Sequence, residues 1–142
     1  MRNYDTNYHF ESDTGESIYT IAYDGQVFVG QSHCHPEDND FMSERVGLTI
    51  AESRTTIKVL KYIKRYEIIP QLKILKHLHT NMKTSKSHNP HSYEAMMLRS
   101  QIRVLENELA AINSEIATER KFLKDYTEGK DKLYKRLRGK NQ

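Results

Sequence analysis

The sequence predicts an α+β fold, in which a small antiparallel sheet precedes two long helical segments. Three patterns indicate it. Side chains alternate between two strand faces up to about residue 33, apolar residues recur with a helical period over about residues 41–80, and a heptad-like stripe of apolar residues runs through the last third. At 142 residues the chain fits a single domain. We divide it into a β-hairpin region (1–40), a first helix (41–83), a linker (84–91) and a C-terminal helix (92–138).

The hairpin is predicted from "SIYTIAYDGQVFVGQSH", residues 17–33, in which side chains alternate between two faces on either side of Asp24-Gly25. An Asp-Gly pair favours a type I′ turn, because both central residues need positive φ. A third strand is expected around residues 6–11. Since an isolated hairpin is marginally stable in water, this sheet should pack on helices or pair with another subunit.

The first helical region contains Pro70, which interrupts an otherwise regular apolar period. Proline removes one backbone hydrogen bond, so it is predicted to kink the helix or divide it. The apolar residues that define the period are Val46, Ile50, Ile57, Leu60, Ile63, Ile68, Leu72, Leu75 and Leu78.

The C-terminal segment carries a seam of apolar residues spaced alternately four and three apart, typical of a coiled-coil stripe. Its members are Leu98, Ile102, Leu105, Leu109, Ile112, Ile116, Leu123, Tyr126, Leu133 and Leu137. Glu119 and Lys130 interrupt it. Two interpretations stay open: an antiparallel hairpin with the preceding helix, or pairing between subunits.

Composition and charge narrow the class of protein. The single cysteine fits a reducing cytosol, and no apolar run reaches the roughly 18 residues of a membrane span, so we expect a soluble intracellular protein without membrane partners. The net charge of +3 divides into −8 over residues 1–53, +8 over 54–91 and +3 over 92–142. This segregation predicts contact between the acidic and basic segments, within or between subunits, and a surface suited to a phosphate-bearing partner.

The stretch "GQSHCHPEDND", residues 30–40, resembles a metal site in composition but not in geometry. On a strand His33 and His35 share one face and Cys34 lies on the other, so the three cannot bind one metal ion. A strand end followed by a helix start explains the stretch better, because carboxylates favour a helix N-terminus. The common catalytic motifs are absent from the sequence. We therefore expect no metal, no cofactor and no enzymatic activity.

Two groups of cations are candidate ligand contacts. Arg54, Lys58, Lys61 and Arg65 follow spacings of four, three and four, which places them on one helix face. Their mutual repulsion needs compensation, either by the acidic N-terminal segment or by a phosphate ligand.

The second group lies near Asn89-Pro90, which is predicted as the N-cap and first residue of the C-terminal helix. Arg99 and Arg103, four residues apart, share a face further along the same helix. Together they offer an anion free N–H groups and guanidinium groups. The alternative is an ordinary cap beside two solvated arginines.

The order of these parts resembles a known family. A hairpin leading into "C-x-P-x-D" (Cys34, Pro36, Asp38), then "G-x-x-I-A-x-x-R" (Gly47, Ile50, Ala51, Arg54), then two long helices, is similar to the phage Thoeris anti-defence proteins of the first type. The resemblance covers about residues 18–116. It implies a phage-encoded sponge that binds cyclic ADP-ribose isomers made by bacterial TIR-domain enzymes and releases them unaltered, in the cytoplasm of the infected host. It also implies a homo-oligomer, a dimer or hexamer, and sites for cyclic oligonucleotides in some members.

The resemblance implies roles for five residues. Arg54 matches the family arginine that contacts a phosphate, and Asn89 matches a ligand-binding asparagine between the helices. His79 stands where the family has an aromatic residue that stacks on the base. Arg99 and Arg103 correspond to a pair of arginines on the C-terminal helix. No group in this set needs to act as nucleophile or base.

Two rival functions follow from the residues alone. A nucleic-acid-binding phage regulator would use the +8 segment and the basic tail "KDKLYKRLRGK" against a phosphate backbone, with a steep loss of affinity in salt. A coiled-coil scaffold protein would bind no nucleotide.

Overall fold

The computed structural model describes residues 2–33, 44–85 and 89–140, with side chains to residue 126 and at residue 128. Three antiparallel strands open the chain: β1 (Asp5–Glu11), β2 (Glu16–Tyr23) and β3 (Gln26–His33), in the spatial order β1-β2-β3. Helices follow, which confirms the α+β fold. The hairpin and the added strand both form, and β1 pairs along its whole length with β2.

The β2–β3 turn has the backbone that its sequence predicts. Asp24 has φ 52° and Gly25 has φ 70°. Positive φ at both central residues is the requirement of a type I′ turn, whose twist matches that of the flanking strands. This local chemistry fixes the register in which Tyr23 lies opposite Gln26.

The first helix, α1 (Glu44–Ile63), approaches the sheet very closely. Residues 47, 51 and 55 lie four apart on one face, and all three are small and buried. A Cβ at Gly30 of β3 would overlap the backbone of Ala51 and the side chain of Thr55, and one at Gly47 would lie 2.5 Å from the Ser17 hydroxyl. The glycines therefore permit a backbone-to-backbone contact that larger residues would prevent.

Pro70 divides the helical region, as its missing N–H predicts. Five residues, Lys64–Ile68, form a π-helical turn, and α2 (Ile69–Lys83) begins with the proline in its first turn. A first-turn residue needs no intrahelical N–H partner, so proline is tolerated there. In a π turn each hydrogen bond spans five residues instead of four. The helical backbone passes through this turn from α1 into α2.

The last helix, α3 (Tyr93–Lys140), carries the predicted seam on its buried side. Leu98, Ile112 and Ile116 are buried and the seam residues between and beyond them, up to Tyr126, are half-buried. The helix pairs with the preceding helices of its own chain, through contacts described below. The antiparallel hairpin is therefore present, while pairing between subunits stays a prediction.

The chain forms two compact units. The first contains residues 1–59 and 116–142, with the sheet, most of α1 and the C-terminal part of α3. The second contains residues 60–115, with the end of α1, the π turn, α2 and the start of α3. In the first unit Ile50 is buried against Val46, Leu123 and Tyr126. In the second, Ile63 and Ile68 are each 1% exposed. The single-domain assignment stays a prediction.

Among the described helices, none combines the length and the apolar character needed to cross a bilayer.

Candidate functional site

We call Arg54, Lys58, Lys61 and Arg65, the four cations predicted to share one helix face, the cationic ridge. In the first unit, two residues of this ridge contact the edge strand of the sheet. Arg54 donates from Nη1 to the carbonyl oxygen of Gln31 at 2.5 Å, and Lys58 donates from Nζ to that of Val29. Both acceptors lie on β3, the edge strand, two residues apart, so their carbonyls point in the same direction away from β2.

These contacts concern how the mutual repulsion of the four cations is compensated, by the acidic N-terminal segment or by a phosphate ligand. Among the described residues, the acidic N-terminal segment supplies partners to Arg54 and Lys58 through backbone carbonyls of β3 and not through carboxylates. The other two ridge residues, Lys61 and Arg65, belong to the second unit. There the Arg65 guanidinium lies 5.3 Å from the ring centre of Tyr66. A guanidinium carries five N–H donors, so the bond to Gln31 leaves Arg54 able to contact an anion as well.

In the second unit, a compact turn leads into α3. The Asn89 side-chain oxygen accepts from the N–H of His91 at 3.0 Å, and its backbone oxygen accepts from the N–H of Ser92 at 3.1 Å. The Ser92 hydroxyl in turn accepts from the N–H of Ala95 at 3.2 Å. This is the geometry of an N-cap, since the capping oxygen bonds an N–H two or three residues into the helix.

The predicted N-cap at Asn89 is therefore wrong, and Ser92 takes that role. The reason is that Asn89 uses its side chain to close the turn before the helix, a local hydrogen bond that asparagine readily makes. The signal in the sequence was a serine directly before "YEAMML", with an acidic Glu94 in the first turn. Asn89 stays next to the helix start, three residues before the cap.

Arg99 folds back over this turn. Its Nη2 donates to the carbonyl oxygen of Pro90 at 2.6 Å, so the guanidinium lies beside the segment that carries Asn89 and His91. Arg103 follows one turn later on α3, and both arginines are exposed. The N-terminal end of a helix carries positive partial charge, which adds to that of the guanidinium.

His79 lies near the C-terminal end of α2, the helix that pairs with the start of α3. Lys76 of α2 forms a 3.2 Å ion pair with Glu106 of α3, one of the contacts between these two antiparallel helices. His79 lies four residues before the end of α2, and Arg103 lies ten residues after the start of α3. His79 is half-buried, with its Nε2 atom shielded from solvent.

Four of the five predicted site residues, His79, Asn89, Arg99 and Arg103, belong to the second unit. Arg54 belongs to the other unit. Within the second unit the structure brings together the N-terminus of α3, the Asn89 side chain and the Arg99 guanidinium. Such a set can bind an anion and an amide-bearing group.

A separate apolar groove of about 450 Å³ runs between α2 and α3 in the second unit. Its walls include Ile74 and Val104, each 62% exposed, together with Leu75 and Leu105. Leu78 and Met97 are also exposed, at 50% and 42%. The residues that line the groove are apolar, amide or hydroxyl side chains, so it suits an apolar partner rather than a phosphate.

The histidine-cysteine stretch lies mostly outside the described residues. Gly30–His33 end β3, and residues 34–40, including Cys34 and His35, are not described. Within the described part of the chain, no cluster of three or more His, Cys, Asp or Glu side chains could hold a metal ion.

Comparison of the chain with protein-family models, with curated proteins and with solved structures finds no match. The family resemblance described above therefore stays a prediction.

Proposed function

We propose that the protein is an anti-defence sponge that binds cyclic ADP-ribose-type nucleotides and releases them unaltered, in the cytoplasm of a phage-infected bacterium. One observation carries the proposal: the Arg99 guanidinium folds onto the Pro90 carbonyl at 2.6 Å, beside Asn89 and the N-terminus of α3. This contact holds a cation at a helix start, where an anion such as a pyrophosphate is favoured.

The side chains assigned to this site suit binding of a nucleotide without any reaction of it. Guanidinium groups and helix N–H groups stabilise a phosphate, the Asn89 amide can both donate and accept, and the His79 ring offers a flat surface to a base. We assign Arg99 and Arg103 to the diphosphate, Asn89 to ribose or base, and His79 to stacking. Arg54, on the other unit, is proposed as a further phosphate contact from the family resemblance alone.

A homo-oligomer, a dimer or hexamer, is part of the proposal. A small intracellular domain that leaves Ile74 and Val104 more than half exposed gains stability if another copy covers them. Assembly would also exclude water from sites near the contact, which tightens binding of a charged ligand.

The test begins with the ligand itself. The protein is co-expressed with a TIR-domain enzyme, purified and heated, and the released small molecules are identified by mass spectrometry. Release of an intact cyclic ADP-ribose isomer supports the sponge. A hydrolysed product would show that the protein is an enzyme, and the absence of any nucleotide would refute the proposal.

Calorimetry with the same isomer then tests the site. Arg99→Ala should weaken binding about tenfold or more, since a charge-assisted contact contributes roughly 1.5–3 kcal/mol. Lys73→Ala is the matched control, because it removes one exposed cation from α2 in the same unit. An equal loss in both variants would indicate a general effect of charge and would contradict the assigned site.

The rival function, a nucleic-acid-binding phage regulator, rests on the +8 charge of residues 54–91. It predicts that affinity for DNA or RNA falls steeply with salt and depends little on sequence. A fluorescence titration with a duplex at two salt concentrations distinguishes it from a sponge, whose single nucleotide gives a shallower salt dependence.

A further inference from the structure

A polar layer crosses the apolar contact between α1 and α3 in the first unit. Ser53 is 4% exposed, and its hydroxyl donates to Oε2 of Glu119. Glu119 occupies a seam position between Ile116 and Leu123. Glu119 is half-buried, so its carboxylate keeps part of its hydration while the Ser53 hydroxyl supplies a hydrogen bond on the buried side. The contact between α1 and α3 is therefore polar at this level, although apolar seam residues precede and follow it.

The polar layer belongs to a groove of about 320 Å³. Its walls carry two carboxylates, those of Glu52 and Glu119, and the ring of Phe122, which is 40% exposed. Hydroxyl side chains from both helices complete it, and no Lys, Arg or His is among the described residues that line it. Within the described part of the chain, Glu52 has no hydrogen-bond or ion-pair partner.

We propose that this groove binds an alkylammonium group. An ammonium has three N–H donors, which match the carboxylate and hydroxyl oxygens of the walls, and its positive charge is attracted to the face of an aromatic ring. The attached methylene chain can pack against Phe122. The two carboxylates repel phosphate, so this site is distinct from the proposed nucleotide site and does not depend on it.

Two sources share this chemistry: a free aliphatic diamine or polyamine, and the lysine side chain of another polypeptide. The competing explanation is that Ser53 and Glu119 only fix the alignment of α1 with α3, as polar residues in helical interfaces sometimes do. Glu52 separates the two explanations. It is exposed and lies outside the polar pair, so a role in alignment gives it no function.

The test is a titration of the ¹⁵N-labelled full chain with 1,4-diaminobutane at constant ionic strength, followed by NMR. We expect saturable shifts of the backbone amides of residues 49–56 and 118–122, with a millimolar Kd because the groove is open to solvent. Glu52→Gln should weaken binding at least about fivefold, as for loss of a charged hydrogen-bond partner. Glu115→Gln, which removes an exposed carboxylate of α3 in the other unit, should leave the Kd unchanged.

Two further ligands test whether the positive charge is needed and which kind of amine the groove prefers. 1-Butanol has the same carbon chain without the charge and should not bind. Tighter binding of an N-acetyl-lysine amide than of diaminobutane would identify a lysine side chain as the natural occupant, and the reverse order a free amine.

Linear shifts that do not saturate, or equal Kd values for the wild type and Glu52→Gln, would overturn the proposal. Because Glu52 is exposed, its replacement should not affect folding, so this outcome is accessible even if Glu119 variants are unstable.

Discussion

The effect of Gly47→Ala on stability should depend on residue 17. The substitution should destabilise the protein when residue 17 is serine and stabilise it when residue 17 is alanine. Gly47 lies on α1 against β2, where an added Cβ would be 2.5 Å from the Ser17 hydroxyl oxygen. That hydroxyl is fully buried and has no hydrogen-bond partner among the described residues. With Ser17→Ala the nearest remaining atom, the Cβ of residue 17, is 3.4 Å away, an ordinary contact.

Two opposing effects set the magnitude. Alanine in a helix interior is more favourable than glycine by about 1 kcal/mol. Overpacking against the Ser17 hydroxyl costs about 2 kcal/mol, the middle of the usual range. Gly47→Ala alone should therefore destabilise the protein by about 1 kcal/mol. In the Ser17→Ala background the same change should stabilise it by about 1 kcal/mol, a coupling of about 2 kcal/mol. Ser17→Ala alone should be neutral or slightly stabilising, because it removes an unpaired buried hydroxyl.

The assay is urea unfolding of the four variants at one fixed protein concentration, since assembly would make stability depend on concentration. Thermal midpoints should follow, at roughly 2–4 °C for each kcal/mol. Gly25→Ala is the control: φ is +70° with no atom within 4 Å, so its cost of about 1 kcal/mol should not depend on residue 17. If Gly47→Ala has the same effect in both backgrounds, the close contact between α1 and β2 is not as described.

Three other changes test the remaining contacts. Arg54→Ala should lower stability by about 1 kcal/mol in urea unfolding, because it removes the donor to the Gln31 carbonyl. If Arg54 also contacts phosphate, the same change should weaken nucleotide binding by about 1–3 kcal/mol in calorimetry. Ser92→Ala should cost about 1 kcal/mol through loss of the N-cap, and a larger loss with Asn89→Ala in urea unfolding would restore Asn89 as the cap. Val104→Glu should shift the protein towards monomers in sedimentation analysis without loss of helix content; an unchanged assembly would exclude the α2–α3 groove as the contact surface.

Much of the fold was predictable because its signals are local. Asp24-Gly25 determines its own turn, and the seam of α3 follows from the 4,3 spacing of apolar residues. The π turn was not predictable in form, although Pro70 marked its position. The error at Asn89 arose between two residues three positions apart, both of types that cap helices well. Only the hydrogen bonds show that Asn89 closes the turn and Ser92 begins the helix.

For the candidate site residues too, some properties follow from the sequence and others only from the tertiary structure. The sequence alone determined which residues are cationic, how they are spaced along a helix, and that they flank a helix start. Tertiary structure decided their partners, because those lie far away along the chain. Arg54 reaches a carbonyl 23 residues before it, Lys58 one 29 residues before it, and Ser53 a carboxylate 66 residues after it. No local pattern specifies such pairs, since they exist only when packing of apolar surfaces has set the helices against the sheet and against each other.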